Sequence, residues 1–259
     1  MIQEITVENF LSFKHKTTFS FVSDNDDHYA EEAQVVEVAK GVKLLRFAAL
    51  YGANASGKSN FLKIFFFLHD FILRDANSVA TGVEPFLLDD KTAMADSVFD
   101  IIFYDKSNKK YRYTLRLNPK SVVSEKLEVA DQLFFERKTK GDKTDINYNF
   151  EIDPQVKNGL DWTCRKNMSL FAAYNSSAEK LTNKITDIEN VLEYFKNFLP
   201  VITEKKDVYT KIANDIVSGT ESIDRQFIDD LKLDCFDNIG NICEKRWRRK
   251  DKGRICRRS

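Results

Sequence analysis

Gly52-Ala53-Asn54-Ala55-Ser56-Gly57-Lys58-Ser59 fits the pattern G-x-x-x-x-G-K-[ST] without a mismatch, and nothing else in the chain limits its fold as strongly. The two glycines allow backbone dihedrals that turn consecutive N–H groups inward, toward an anion. A helix starting near Lys58 adds the positive end of its dipole. The Lys58 ammonium supplies a full charge for β- and γ-phosphates, and the Ser59 hydroxyl suits Mg²⁺. A chain of this length meets the pattern by chance on the order of once in a hundred. The flanks make the match more selective. Leu44 to Tyr51 (LLRFAALY) is mostly apolar and predicts a central strand buried on both faces. After the loop, SNFLKIFFFLHDFILRD predicts a helix apolar almost all round, with Lys63, His69, Asp70 and Arg74 as its polar points, sandwiched between layers and ended by Asn77 to Gly82. These residues point to a purine nucleoside triphosphate, read as ATP, held with Mg²⁺.

The remaining pattern is α/β. Apolar and polar residues alternate at Ile5 and Val7 and again at Phe19 and Phe21, with a turn expected over Asn9 to Lys14 and a further strand at Val35 to Val38. Residues 97–153 hold three or four strand candidates, VFDIIFYD, YRYTLRL, SEKLEVADQLFFER and INYNFEI, spaced as an antiparallel meander. The pattern then becomes helical. Ser176 and Glu179 form a candidate capping box ahead of Leu181, Ile185, Ile188, Leu192, Phe195 and Leu199, and weaker helical stretches cover 208–217 and 222–233. With 21 phenylalanines against nine glycines, Phe-rich strands and a thick core are expected.

Cys164, Cys235, Cys243 and Cys256 are scattered without a CxxC pair, so neither a zinc site nor a disulfide framework is indicated and a reducing cytoplasm is expected. Cys164 has Arg165 beside it but no identifiable base, and is read as structural. The start MIQEITVENF is unlike a signal peptide, and no apolar run reaches the roughly 18 residues of a membrane span. Net charge is zero overall, yet residues 244–259 hold nine basic and two acidic residues, leaving 31 and 38 for the rest. The tail differs in kind from what precedes it.

The opening IQEITVENFLSFKHKTTFSF, followed by YGANASGKSNFLK, resembles the N-terminal half of ABC-type ATPase heads of the SMC and RecF kind. It is more closely similar to bacterial AAA-family ATP-binding proteins of phage-defence and abortive-infection loci, whose loop commonly reads GxNxSGKSN; Asn54, Ser56 and Asn60 match it. TCRKNMSLFAAYN and VLEYFKNFLPVI also look like that group, so the resemblance spans roughly residues 1–242. It implies a phosphate-loop NTPase with an ABC-head-like mixed sheet, an antiparallel strand layer and a helical region. Residues 1–160 would form the nucleotide-binding lobe, 161–242 the helical region and 243–259 an unstructured basic tail. The resemblance adds Asn60 to the nucleotide-binding residues Gly52, Ala53, Asn54, Ala55, Ser56, Gly57, Lys58 and Ser59. It implies ATP hydrolysis after two heads close into a homodimer, with a partner nuclease or defence protein.

Such composite sites also need an apolar strand ending in Asp-Glu and a serine-glycine signature. Ile101-Ile102-Phe103-Tyr104-Asp105 is followed by Lys106 where Glu should stand, Phe86-Leu87-Leu88-Asp89-Asp90 lacks the glutamate, and Ser218-Gly219 is too short a match. Hydrolysis is therefore expected to be impaired, the catalytic residues are unknown, and a coupling glutamine is not assignable among Gln132, Gln155 and Gln226. Two explanations fit the tail: a lost reading frame near residue 243 on a truncated protein, which the abrupt end of the family pattern favours, or a basic arm for nucleic acid. A non-hydrolysing nucleotide-sensing scaffold is the rival reading. Guanine specificity is disfavoured because Asn108-Lys109-Lys110-Tyr111 and Asn183-Lys184-Ile185-Thr186 both break N-K-x-D.

Overall fold

Strand-forming residues outnumber helical ones through the middle of the chain, and the architecture follows from them. The structure, a computed structural model, describes residues 1–23, 34–54, 56–74, 80–141, 143–177 and 184–197. All lie within one compact unit, Met1–Val201. In chain order the elements are β1 (Ile2–Glu8), β2 (Thr17–Ser20), β3 (Val35–Ala39), β4 (Val42–Leu45), α1 (Lys58–Leu73), α2 (Asp90–Ala93), β5 (Ser97–Tyr104), β6 (Lys110–Leu117), β7 (Val122–Val129), β8 (Gln132–Lys140), β9 (Lys143–Tyr148), α3 (Pro154–Thr163), α4 (Leu170–Ser177) and α5 (Thr186–Asn197). The expected helices at 208–217 and 222–233, the basic tail, Ser218-Gly219 and Gln226 fall outside the described residues.

Seven strands form one sheet in the order β2-β1-β5-β6-β7-β8-β9, and every neighbouring pair is antiparallel. The α/β class expected from the sequence is observed, with no parallel pair among the described strands. The segment SEKLEVADQLFFER is two strands, not one. Ala130 and Asp131, at φ +50 and +63, make the two-residue reversal that joins β7 to β8. Alternation sorts the side chains. Phe99, Ile101 and Phe103 of β5 face the core with Tyr111, Tyr113 and Leu115 of β6. The opposite face is laced with ion pairs, including Arg112 with Asp100 at 2.6 Å, Arg116 with Asp96 at 2.8 Å and Lys126 with Glu128 at 2.9 Å.

Helix α1 lies on the apolar face through phenylalanine. Phe67 stacks on Phe99 with centroids 4.8 Å apart and meets Phe10 at 5.6 Å, while Phe61 approaches Phe19 at 4.3 Å. α4 and α5 pack alongside it. Leu62, Lys63 and Asp70 remain exposed, so the helix keeps one narrow solvent stripe and is otherwise covered, close to the expected sandwich.

Two expectations are corrected, and one helix is added. Leu44 to Tyr51 is not one buried strand. β4 pairs with β3, the ladder ends where Arg46 N–H donates to Gln34 O at 2.9 Å, and Phe47, Leu50 and Tyr51 are 57%, 46% and 90% exposed. Among the described residues no strand lies beside 47–51, and apolar composition alone cannot form a ladder. Ser176 is not an N-cap, since it sits inside α4 with its Oγ donating to Ala172 O at 2.8 Å; Glu179 lies outside the described residues. Helix α3 was not anticipated, although Asp153-Pro154 announces it: Asp153 accepts from Gln155 N–H at 2.8 Å and proline occupies the first turn.

One polar cluster crosses the core. Glu125 and Arg137 face each other across β7 and β8, both fully buried. The Glu125 carboxylate accepts from Arg137 at 3.1 Å, from Tyr113 OH at 3.0 Å and from the Leu170 N–H at the start of α4 at 3.0 Å. Arg137 also donates to Met168 O and Arg165 O, each at 2.6 Å. Removing one member leaves a buried charge without its partner, so Glu125→Ala is expected to cost about 3–5 kcal/mol in denaturant unfolding. A loss under about 1 kcal/mol would show that the pair is dispensable.

Candidate functional site

The chain enters α1 through a left-handed residue. Gly57 is its N-cap, with φ 94° and ψ 4°, and no side chain caps the helix or places an acid in its first turn. The first helical bond runs from Phe61 N–H to Gly57 O at 3.0 Å. A 16-residue helix thus begins with amides that no side chain satisfies, at the positive end of its dipole. Before it, Ser56 N–H donates to Ala53 O at 3.2 Å and tightens the loop. Ala55 lies outside the described residues.

Lys58 bends back over this loop. Its Nζ donates to Gly52 O at 2.8 Å and to Ala53 O at 2.7 Å, so the ammonium closes the loop onto the helix that follows. Gly57 is needed for its left-handed dihedral, and both glycines lie close to a serine side chain. A Cβ on Gly52 would lie 2.7 Å from Ser56 Oγ, and one on Gly57 would lie 2.9 Å from Ser12 Oγ. Both distances are shorter than real Cβ contacts, so a larger residue at either position would require the serine hydroxyl opposite it to turn aside. Gly52, Ala53, Asn54, Ser56 and Ser59 are exposed, and Gly57, Lys58 and Asn60 half-buried. The structure brings these eight candidate residues together at one helix end. Exposed amides, one ammonium and one hydroxyl are the donor set that a triphosphate and its Mg²⁺ require.

The β1–β2 turn, expected over Asn9 to Lys14, forms the neighbouring wall, and its role was not read from the sequence. Asn9, at φ +53, donates through Nδ2 to Thr92 O at 2.8 Å and Ala95 O at 3.0 Å, and accepts from Phe86 N–H at 3.0 Å. Ser97 Oγ donates to Asn9 O, and Lys14 pairs with Asp89 at 2.8 Å. The segment from 84 to 97 is thereby fastened to the β1–β2 turn. The signal in the sequence was an Asn before an apolar residue in a turn, which is common to many turns.

Both imitations of an Asp-Glu strand end are occupied structurally. Asp105 accepts from Ser107 N–H, Ser107 Oγ and Lys109 N–H at 2.8, 2.7 and 2.9 Å, and Lys106 pairs with Glu193 at 2.6 Å. Asp89 caps α2, accepting from Lys91 N–H at 2.9 Å; the Lys14 ammonium and this amide hold its carboxyl below the usual range. Cys164 is buried, and desolvation pushes its thiol up to about 12, as suits a structural residue and not a reactive one.

Residues 47–160 match the family model described as AAA domain, putative AbiEii toxin, Type IV TA system. The match supports an AAA-type ATPase domain. It takes in the phosphate loop, α1, the meander and most of α3, just under half of the chain. No curated protein matches the chain. Among the described residues, no helix is long and apolar enough to cross a membrane.

Asn9 is the hub of the wall beside the loop. Asn9→Ala is expected to speed amide exchange at Phe86 and through 92–96 by about tenfold or more, while β5 to β8 stay protected. Unchanged exchange there would show that the segment is held by other contacts.

Proposed function

We propose that the protein binds ATP with Mg²⁺ through Gly52 to Asn60. The observation that carries this reading is the coincidence of a complete G-x-x-x-x-G-K-S sequence with the uncapped start of α1, where Lys58 lies across the carbonyls of Gly52 and Ala53. The AAA-type match over the same residues supports it. In this reading the loop amides and the first turn of α1 surround the β- and γ-phosphates, and Lys58 moves its ammonium from the loop carbonyls to phosphate oxygens. Ser59 offers its hydroxyl to the metal, which when bound neutralises charge between the phosphates.

Nucleotide binding is assigned with hydrolysis impaired in this chain alone. Hydrolysis needs a carboxylate free to orient water, whereas Asp105 and Asp89 are held by a turn and a helix cap. That occupation favours the second reading, a non-hydrolysing scaffold that senses nucleotide. Pairing of two heads of the SMC and RecF kind, a partner nuclease or defence protein, and the toxin-like role in the family's description follow from the resemblance and belong to the same proposal. The nucleic-acid arm would use a tail outside the described residues, and no contact among the described residues argues for it.

Calorimetry with ATP and Mg²⁺ decides the assignment. Lys58→Ala is expected to weaken affinity by about a hundredfold or more, through loss of a charge-assisted phosphate contact together with the ammonium that closes the loop. A variant that binds as tightly as its parent would put the site elsewhere. Steady-state phosphate release then separates the two readings, since the scaffold binds nucleotide without turnover.

A further inference from the structure

We propose that Ser12, at the tip of the β1–β2 turn, is a positioning residue for the phosphate loop, setting the backbone conformation of the cradle at Gly57. The proposal rests on the nucleotide-binding reading and deepens it by giving the loop a second wall. A Cβ built on Gly57 would lie 2.9 Å from Ser12 Oγ and 3.8 Å from Ser12 Cβ, and among the described residues it would meet no other group within 4 Å apart from its chain neighbours. Among the described residues, the left-handed hinge through which the chain enters α1 has the exposed Ser12 as its neighbour on this face.

Such a contact matters only if the turn itself is fixed. Phe10 N–H donates to Phe13 O at 3.0 Å and Phe13 N–H to Phe10 O at 2.8 Å, closing the turn on both sides. Leu11 N–H donates to Glu84 O at 2.9 Å. The Phe10 ring is buried against Phe67 of α1 and against Phe99 at 5.1 Å. Leu11 holds φ +50, a conformation that a non-glycine residue keeps only when its surroundings determine it. Ser12 is thus carried by the same aromatic cluster that carries α1, and turn and loop are fixed to one frame.

Glycine can leave the left-handed region at little cost, and each other conformation turns the following amides away from a common point. A wall at Gly57 removes part of that range before any ligand arrives, so less order has to be supplied on binding. The mechanism gives a size-dependent signature. Taking away the hydroxyl loosens the hinge and adding bulk pushes it, so both changes weaken nucleotide affinity without loosening the core.

The experiment is titration of the full chain with ATP and Mg²⁺ for the parent, Ser12→Ala, Ser12→Gly and Ser12→Val, with an unfolding midpoint for each. Ser12→Val is expected to lose about tenfold in affinity and the two smaller variants about threefold, with midpoints within about 2 °C of the parent. If Ser12→Val does not fold, the Ala and Gly variants decide alone. A parent that fails to bind sinks the nucleotide reading itself. A parent that binds, with the folded variants matching it, overturns the role of Ser12 and leaves that reading intact. Affinity that falls only in step with the midpoint overturns it too, because the residue would then be acting on stability in general.

Discussion

The aromatic seam between α1 and the sheet is the constraint from which the site's geometry follows. Phe61, Phe67 and Phe71 lie along one side of the helix, and Phe67 is stacked between Phe99 of the sheet and Phe71 one turn on. Each such ring contributes roughly 1.5–3 kcal/mol by leaving water, and together they fix the helix in rotation as well as position. A helix is stiff over four turns, so fixing its middle also fixes where its first amides point. The candidate cradle inherits its placement from carbon packing well behind it.

The far end of the same helix is tied by polar contacts. Ser169 Oγ donates to Phe71 O at 3.2 Å while accepting from Ala172 N–H at 2.9 Å, so one hydroxyl joins the end of α1 to the start of α4. Glu125 holds the next amide of α4, and Arg137 holds the two carbonyls before it. The meander is thereby joined to the helical layer by a charged pair, not by apolar packing alone. Burial drives the Glu125 carboxyl upward against the pull of Arg137, and Tyr113 beside it is raised well above its ordinary value by the same desolvation.

Local rules made much of this legible. Period-two alternation located the strands because one face of the sheet is apolar and the other ionic, and the phosphate loop was read residue by residue because each position answers a steric or electrostatic demand. What escaped depended on partners distant in sequence. The inward charges Glu125 and Arg137 do break the alternation of β7 and β8, a readable anomaly, but only the register shows that they oppose each other. Ser176 satisfied a capping pattern and still back-bonds inside α4, since a hydroxyl that caps can equally bond four residues back. Asn9 and Ser12 sit in a turn of ordinary composition, and their importance comes from what the fold sets beside them.

The segment between β4 and the cradle has a consequence for how the protein behaves at high concentration. From Phe47 to Tyr51 the side chains are uncharged and largely open to water, and among the described residues their backbone amides find no acceptor. Extended peptide of that composition attracts other extended peptide, and Arg46 is the sole charge bordering it on the upstream side. Any self-association through these residues would fall a few positions from Lys58, at the approach to the loop.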